Sequence, residues 1–174
     1  MLTKHVFFAI ILGAVAGVGA CGHSPPPPAA PCTTPEPVML TIRASAGVNP
    51  DDKGQPLATT VRLYQLRETA RLADASLEQI LDNDRAALAD DLLSVNELTL
   101  YPGEISQPGL VRKEGAAYIA LVAFFRNSAG SNWRAISKLA PPNPQHCGAN
   151  GKGAPGSALR GLLVDLNENR IEVR

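Results

Sequence analysis

Few side chains in this 174-residue chain could do chemistry. Of its histidines, His5 and His23 precede any stretch that could fold, which leaves His146 in a segment dense in Pro, Gly and Asn. No serine stands on the strand-to-helix elbow of a hydrolase nucleophile, and no Ser–His–Asp set can be assembled. Asp51 and Asp52 adjoin a turn, but the acidic positions are too few for a calcium loop. The segment GANGKGAPGS, residues 148–157, holds a Gly-Lys pair without a following Ser or Thr and without a helix behind it, so it is not a phosphate loop. Asp82, Asp84, Asp90 and Asp91 follow helical spacing and read as solvated charges. An enzyme is not expected. What remains is sulfur: Cys21, Cys32 and Cys147.

Cys21 closes the segment MLTKHVFFAIILGAVAGVGAC. Lys4 supplies a positive start, an apolar run extends from Val6 to Val18, and small residues lead to the cysteine. That order is a secretory signal peptide, and the run falls short of the roughly 20 residues of a spanning helix. The alternative, an uncleaved anchor, fits the length less well. Val18-Gly19-Ala20-Cys21 resembles a lipobox, which implies cleavage after residue 20 and acylation of Cys21. Each buried methylene contributes about 0.8 kcal/mol, so two or three acyl chains would hold the protein firmly. A plain cut that leaves a free thiol is the alternative. Gly22, rather than Asp, follows the cysteine, which by the same resemblance implies the outer membrane.

Residues 23–37, HSPPPPAAPCTTPEP, favour extended polyproline II and form a semi-rigid spacer. Their other use, as a ligand for an aromatic-lined groove, is not needed beside a lipid site. The expected organisation is therefore a signal peptide at 1–20, a lipidated Cys21 with its Pro-rich tether at 21–37, and a folded domain at 38–174. Cys32 and Cys147 would share a compartment that permits disulfides, and a bridge between them is expected. The competing reading, zinc held by Cys32, His146 and Cys147, supplies three ligands at unfamiliar spacing where four are usual.

Residues 38–174 can bury a real core as one domain. The chain balances 16 basic against 16 acidic residues, and aromatics make up 5%. Without a basic stripe or aromatic platforms, nucleic acid is not an expected partner.

Along the domain, VMLTIRASA (38–46) alternates as a strand, and GVNPDDKGQPLA (47–58) is a long exposed connection. TTVRLYQL (59–66) carries apolar groups on both faces, Val61, Leu63 and Gln65 against Arg62, Tyr64 and Leu66, as for a strand inside a stack. Leu77, Ile80, Leu81 and Leu88 then recur at helical spacing. Ser76 can cap a first short helix, Asn83 and Asp84 break it, and a second is expected from Ala86 to Leu92. VNELTLY (95–101) reads as a strand ending at the Pro102-Gly103 turn, and GLVRK as a short strand. AAYIALVAFF (116–125) is a buried strand by its β-branched and aromatic content, and residues 132–139 form another. LRGLLVDL and RIEVR are joined by a tight turn. Seven or eight strands with one helical insertion point to a β-sandwich.

Taken in order, the lipobox, the Pro-rich tether, ASAGVNPDDKGQPLATTVRLYQL, Tyr101-Pro102-Gly103-Glu104, AAYIALVAFFRN and Trp133-Arg134 resemble the type VI secretion outer-membrane lipoprotein family TssJ, also called SciN or VasD-like. The resemblance covers about residues 38–174. It implies a mainly β fold, a transthyretin-like two-sheet β-sandwich with a short helical insertion, lipid-anchored on the periplasmic face of the outer membrane. It implies no catalytic role, no cofactor or metal and no small-molecule substrate. It implies binding of the periplasmic C-terminal domain of the inner-membrane component TssM within the type VI secretion membrane complex. The family's contact loop falls here on Asn49, Pro50, Asp51, Asp52, Lys53, Gly54, Gln55, Pro56 and Leu57. Asp51, Asp52 and Lys53 could steer a charged partner, and Pro50 and Pro56 would lower the ordering cost on binding. A solvated turn with no partner is the plainer reading. Residues 140–157 depart from the family as a long Pro/Gly-rich loop. The alternative function is a periplasmic lipoprotein that binds a small ligand, or acts as an enzyme, in a deep polar pocket.

Overall fold

The structure is a computed structural model that describes residues 36–128, 132–141 and 161–174. Cys21, Cys32, His146 and Cys147 lie outside the described residues. In chain order the elements are β1 (Pro37–Val38), β2 (Leu40–Ala44), β3 (Thr59–Leu66), α1 (Ala70–Asp74), α2 (Leu77–Leu88), β4 (Leu92–Leu100), β5 (Ile105–Ser106), β6 (Leu110–Val111), β7 (Tyr118–Ala123), β8 (Arg134–Lys138), β9 (Leu162–Asn167) and β10 (Arg170–Val173). They form a sheet of order β10-β9-β2-β5, a second of order β4-β3-β7-β8, and a small β1-β6 pair. The pairings are antiparallel except β2 with β9, which run side by side from Leu40↔Leu162 to Ala44↔Leu166. This is the two-sheet sandwich with a helical insertion that the resemblance implied.

Strand alternation fills two cores. Leu40, Ile42 and Ala44 of β2, Val164 and Leu166 of β9, and Ile171 of β10 face Val61 and Leu63 of β3 and Ile119, Leu121 and Ala123 of β7 between the sheets. The opposite face of β3 and β7 carries Tyr64, Leu66, Ala120 and Val122, which pack on Leu72 of α1 and Ile80 and Leu88 of α2. The second sheet is thus covered on both sides, as the two apolar faces of residues 59–66 predict. Gln65, on the inter-sheet side, is buried and hydrogen-bonded: its Nε2 donates to the Val111 carbonyl at 2.8 Å and its Oε1 accepts from the Lys113 N–H at 2.8 Å.

The helical insertion begins with a capping box. The Ser76 hydroxyl accepts from the Gln79 N–H, and the Gln79 side chain accepts from the Ser76 N–H. The expected break is real: Asn83 leaves helical geometry at φ −153 and ψ 83, and its Oδ1 caps the following turn through the Ala86 N–H at 3.0 Å. After the break α2 runs to Leu88 and a 3₁₀ turn carries the helical segment on to Asp91, one residue short of the expected Leu92. Leu92 instead pairs with Leu66, so β4 starts three residues before the strand expected from Val95 and ends one residue earlier, at Leu100. The ten strands among the described residues exceed the expected seven or eight because β1 and β5 are two-residue pieces too short to leave an alternation, while β6 falls within the short strand expected at GLVRK. The fold also starts slightly before residue 38. Pro37 pairs with Val111, and the Arg112 N–H donates to the Glu36 carbonyl at 2.8 Å.

Two aspartates read as solvated charges are structural. Asp84 accepts from the buried Tyr64 hydroxyl at 3.0 Å and from Arg62 at 3.3 Å, and Asp91 pairs with Arg71 at 3.3 Å. Burial, more than any neighbour, pushes the Tyr64 phenol well above its ordinary range, which keeps it a neutral donor. Arg62 also lies over the Phe124 ring at 5.0 Å and donates to Glu97 at 2.8 Å. Arg134 does comparable work at α1. It stacks on Trp133 at 4.5 Å and donates to the carbonyls of Leu72, Ala73 and Ala75 at 2.6–2.9 Å. A guanidinium at a helix C-terminus satisfies acceptors the helix cannot. Arg134→Ala should cost about 1–3 kcal/mol in denaturant unfolding, because these carbonyls lose their donor.

On the outer face of the first sheet, Arg43 and Asp165 stand opposite each other in the parallel β2–β9 register and bond at 2.7 and 3.1 Å. Arg174 reaches the same carboxylate at 2.8 Å. The Arg43 hydrogen bond holds the Asp165 carboxyl below its usual range against the opposing effect of burial, and the charges of Arg43 and Arg174 add to it. A depressed carboxyl contributes stability above its unfolded pKa and loses it as pH falls through the folded value. Asp165→Asn should therefore lower the melting temperature at neutral pH, with the gap to wild type closing as pH drops below about 4. Thermal melts across that range measure it.

Candidate functional site

The registers divide the sandwich into two ends. Glu36, the start of β9 and the end of β8 lie at one, where the Leu162 N–H donates to the Met39 carbonyl. The end of β2, the start of β3, the end of β4 and the β9–β10 turn lie at the other. The 49–57 loop therefore projects from the end opposite the entry of the tether segment.

The loop is held from its base. Asn49 is buried, and φ +50 places it in the left-handed region, which Asn tolerates better than most residues. Its N–H donates to the Glu168 carbonyl at 2.7 Å, its Nδ2 to the Ala58 carbonyl at 3.1 Å, and its Oδ1 accepts from the Arg126 N–H at 2.6 Å. One side chain so joins the loop's far end to the segment after β7, while its backbone joins the β9–β10 turn. Buried Val48 anchors the same base, and its carbonyl accepts from the Leu57 N–H at 3.2 Å.

The tip closes on itself. Pro50 and Pro56 face each other across an isolated bridge. Oδ1 of Asp51 accepts from the N–H groups of Lys53 and Gln55, both at 2.8 Å, as an Asx-type brace. The Asp51 backbone pairs with Gln55 and Gly54, and Gly54 takes φ +78, which a side chain would resist. Asp52 is exposed and pairs with Arg126 at 2.9 Å. Lys53, Gln55, Pro56 and Leu57 are exposed.

Of the nine expected contact residues, Asn49 is thus a buried strut and Asp51 an internal brace, while Asp52, Lys53, Gln55, Pro56 and Leu57 present side chains to solvent. The spacing of loop residues carried no sign of Arg126. Its only trace in the sequence was the Phe125-Arg126 pair of the family pattern, which has no role until the end of β7 is seen beside the loop. Among the described residues no group of three or more His, Cys, Asp or Glu side chains could hold a metal.

The geometry singles out one braced loop at one end of a two-sheet sandwich. The family model for the type VI secretion lipoproteins VasD, EvfM, TssJ and VC_A0113 matches residues 36–168, and the chain belongs to that family. No curated protein matches by sequence. The fold is similar to the type VI secretion lipoprotein TssJ1 from Pseudomonas aeruginosa, with 23% identity, a TM-score of 0.65 and coverage of 81% of this chain and 96% of that one. It is similar to Serratia marcescens Lip, a membrane-bound component of the type VI secretion system, with 20% identity, a TM-score of 0.67 and coverage of 79% and 96%. It is also similar to a chain in a structure of the TssM C-terminal domain from EAEC, with 22% identity, a TM-score of 0.60 and coverage of 79% and 99%.

Asn49→Ala should destabilise the domain by about 1–3 kcal/mol, because it removes the partner of the Ala58 carbonyl and of the Arg126 N–H and puts a less tolerant residue at positive φ. Asn49→Gly relieves the second effect alone and should fall between the variant and wild type in the same unfolding experiment.

Proposed function

We propose that this chain is an assembly lipoprotein of the type VI secretion membrane complex, anchored in the outer membrane through acylated Cys21, whose 49–57 loop docks the periplasmic C-terminal domain of TssM. The observation that carries this reading is the preorganised loop at the end of the sandwich away from the tether. Asn49, Asp51 and the Pro50–Pro56 bridge fix its shape before any partner arrives. Little ordering entropy is then lost on binding. Family membership supports the secretion role, and the likeness to a chain in a TssM structure supports the partner.

The anchor fits this geometry. A polyproline segment spanning residues 22–35 would reach about 40 Å at ~3.1 Å per residue. The eight residues of β3 add about 26 Å at ~3.3 Å each. The loop would be presented well into the periplasm. The protein acts by binding and not by catalysis. In the same reading Cys32 and Cys147 form a disulfide at the tether end. Arg112 supports it: its N–H meets the Glu36 carbonyl, and its guanidinium meets the Ala140 carbonyl at 2.6 Å. Glu36 and Ala140, on the sequence sides of Cys32 and Cys147, thus both meet one residue. Thiol alkylation followed by mass measurement, with and without reduction, tests the bridge.

The central test is binding of the lipoprotein to the TssM C-terminal periplasmic domain by calorimetry. Replacing Asp51, Asp52 and Lys53 together with Ala should weaken affinity about tenfold or more while the fold persists, with Asp51→Ala alone giving most of the loss because it removes the brace. Unchanged affinity in the triple variant would refute the loop assignment. Cys21→Ser should release the protein from the membrane fraction, and retention there would refute the anchor.

A further inference from the structure

We infer that β4 is an acceptor edge, to which an extended segment of the partner docked on the 49–57 loop adds as a further, antiparallel strand of the second sheet. This rests on the docking reading above and names a second, main-chain contact with the same partner.

The outer edge of β4 is open. The Phe124 N–H donates to the Thr60 carbonyl at 2.9 Å, so the main-chain groups of Thr60 face β7. Those groups alternate sides along a strand, which turns Thr59, Val61, Leu63 and Gln65 toward β4. Their register partners Leu100, Leu98, Asn96 and Ser94 therefore point inward, to β3. Val95, Glu97 and Thr99 then direct their N–H and C=O groups away from the sheet. Among the described residues nothing bonds to those groups, and Asn96, Glu97 and Thr99 are exposed.

The other sheet edges are occupied or short. At β10 the Ile171 N–H already donates to the Asn132 carbonyl at 2.9 Å. β5 has two residues, with Pro108 soon after it, and β8 has five, against nine in β4. A long edge in a soluble protein is normally guarded by Pro, Lys or a bulge. β4 contains neither residue, and its one register irregularity lies at its Leu92 end. Its only charge, Glu97, is paired with Arg62 at 2.8 Å. The edge thus offers a main-chain ladder to an extended peptide.

Direction and position select the occupant. β4 runs from the tether end to the loop end and stops at Leu100, opposite Thr59 and so beside the exit of the 49–57 loop. A second copy paired on β4 about a two-fold axis would stand inverted, with its tether turned away from the membrane that holds the first. A partner seated at the loop end meets no such conflict. Its chain can continue along β4 toward the membrane, antiparallel to it. Cross-strand neighbours set the chemistry of that segment: a β-branched or aromatic residue against Val95, a basic one against Glu97 and a hydroxyl against Thr99.

The test is amide hydrogen exchange, resolved to single residues, on the full-length lipoprotein in detergent, alone and with the TssM C-terminal periplasmic domain. Alone, Asn96 and Leu98 should exchange slowly, and Val95, Glu97 and Thr99 about tenfold faster or more. The partner should slow those three amides about tenfold or more, an alternation that side-chain contact would not produce. Thr99→Pro deletes one outward N–H and spares the β3 ladder, so affinity should fall about tenfold or more with little change in the thermal melt. Thr99→Ala keeps that N–H and should bind within about threefold of wild type. If Thr99→Pro melts early, the wild-type exchange pattern decides. Protection confined to residues 49–57, or Thr99→Pro affinity equal to wild type, overturns the inference and leaves the docking reading standing. Protection of the same three amides in the lipoprotein alone, rising with its concentration, makes a second copy the occupant and also overturns it. Absence of wild-type binding overturns both.

Discussion

The double burial of β3 and β7 is the constraint on which the rest of this molecule depends. A sheet that packs on another sheet with one face and on helices with the other must be apolar on successive residues, and the Val61–Leu66 and Ile119–Ala123 runs meet that demand. The helical insertion is therefore no ornament on the surface. Removing it would uncover Tyr64, Leu66, Ala120 and Val122, side chains that belong to a second core.

That second core is closed by polar groups rather than by further hydrocarbon. Arg134 reaches from β8 to the exposed carbonyls of α1, and Asp84 reaches from α2 to Tyr64 in β3. Each makes several bonds at once, and each joins segments far apart in sequence. Losing Asp84 would take the partner from the buried Tyr64 hydroxyl, which costs more than the bond itself contributes. The braced loop applies the same logic at smaller scale, with Asn49 as the group that several segments share.

The sequence made the periodic parts of this fold legible. The alternation of residues 40–44 and 59–66, the Ser76 cap and the Asn83 break each follow from local physics and each stand in the structure. What escaped was set by tertiary pairing. The two-residue strands β1 and β5 leave no pattern, and Leu92 joins a strand because Leu66 is opposite it, not because of its neighbours in the chain. The same limit applied to the loop. Its residues were expected from the family pattern, which said nothing of their division of labour. Asp51 and Asp52 are chemically identical and adjacent, yet one holds backbone N–H groups and the other an arginine 74 positions away. Only the fold distinguishes them.

The parallel pairing of β2 with β9 has a mechanical consequence. From Glu36 the chain runs along β2 directly toward the 49–57 loop, so in the anchored docking reading proposed above a pull on that loop would travel along one five-residue strand. The hydrogen bonds that hold β2 to β9 on one side and to β5 on the other lie across that pull. They would be loaded together in shear rather than unzipped one by one. Most of the domain, including both helices and the second sheet, lies off the line of force, and the strand that bears it sits in the interior of its sheet with a neighbour on each side.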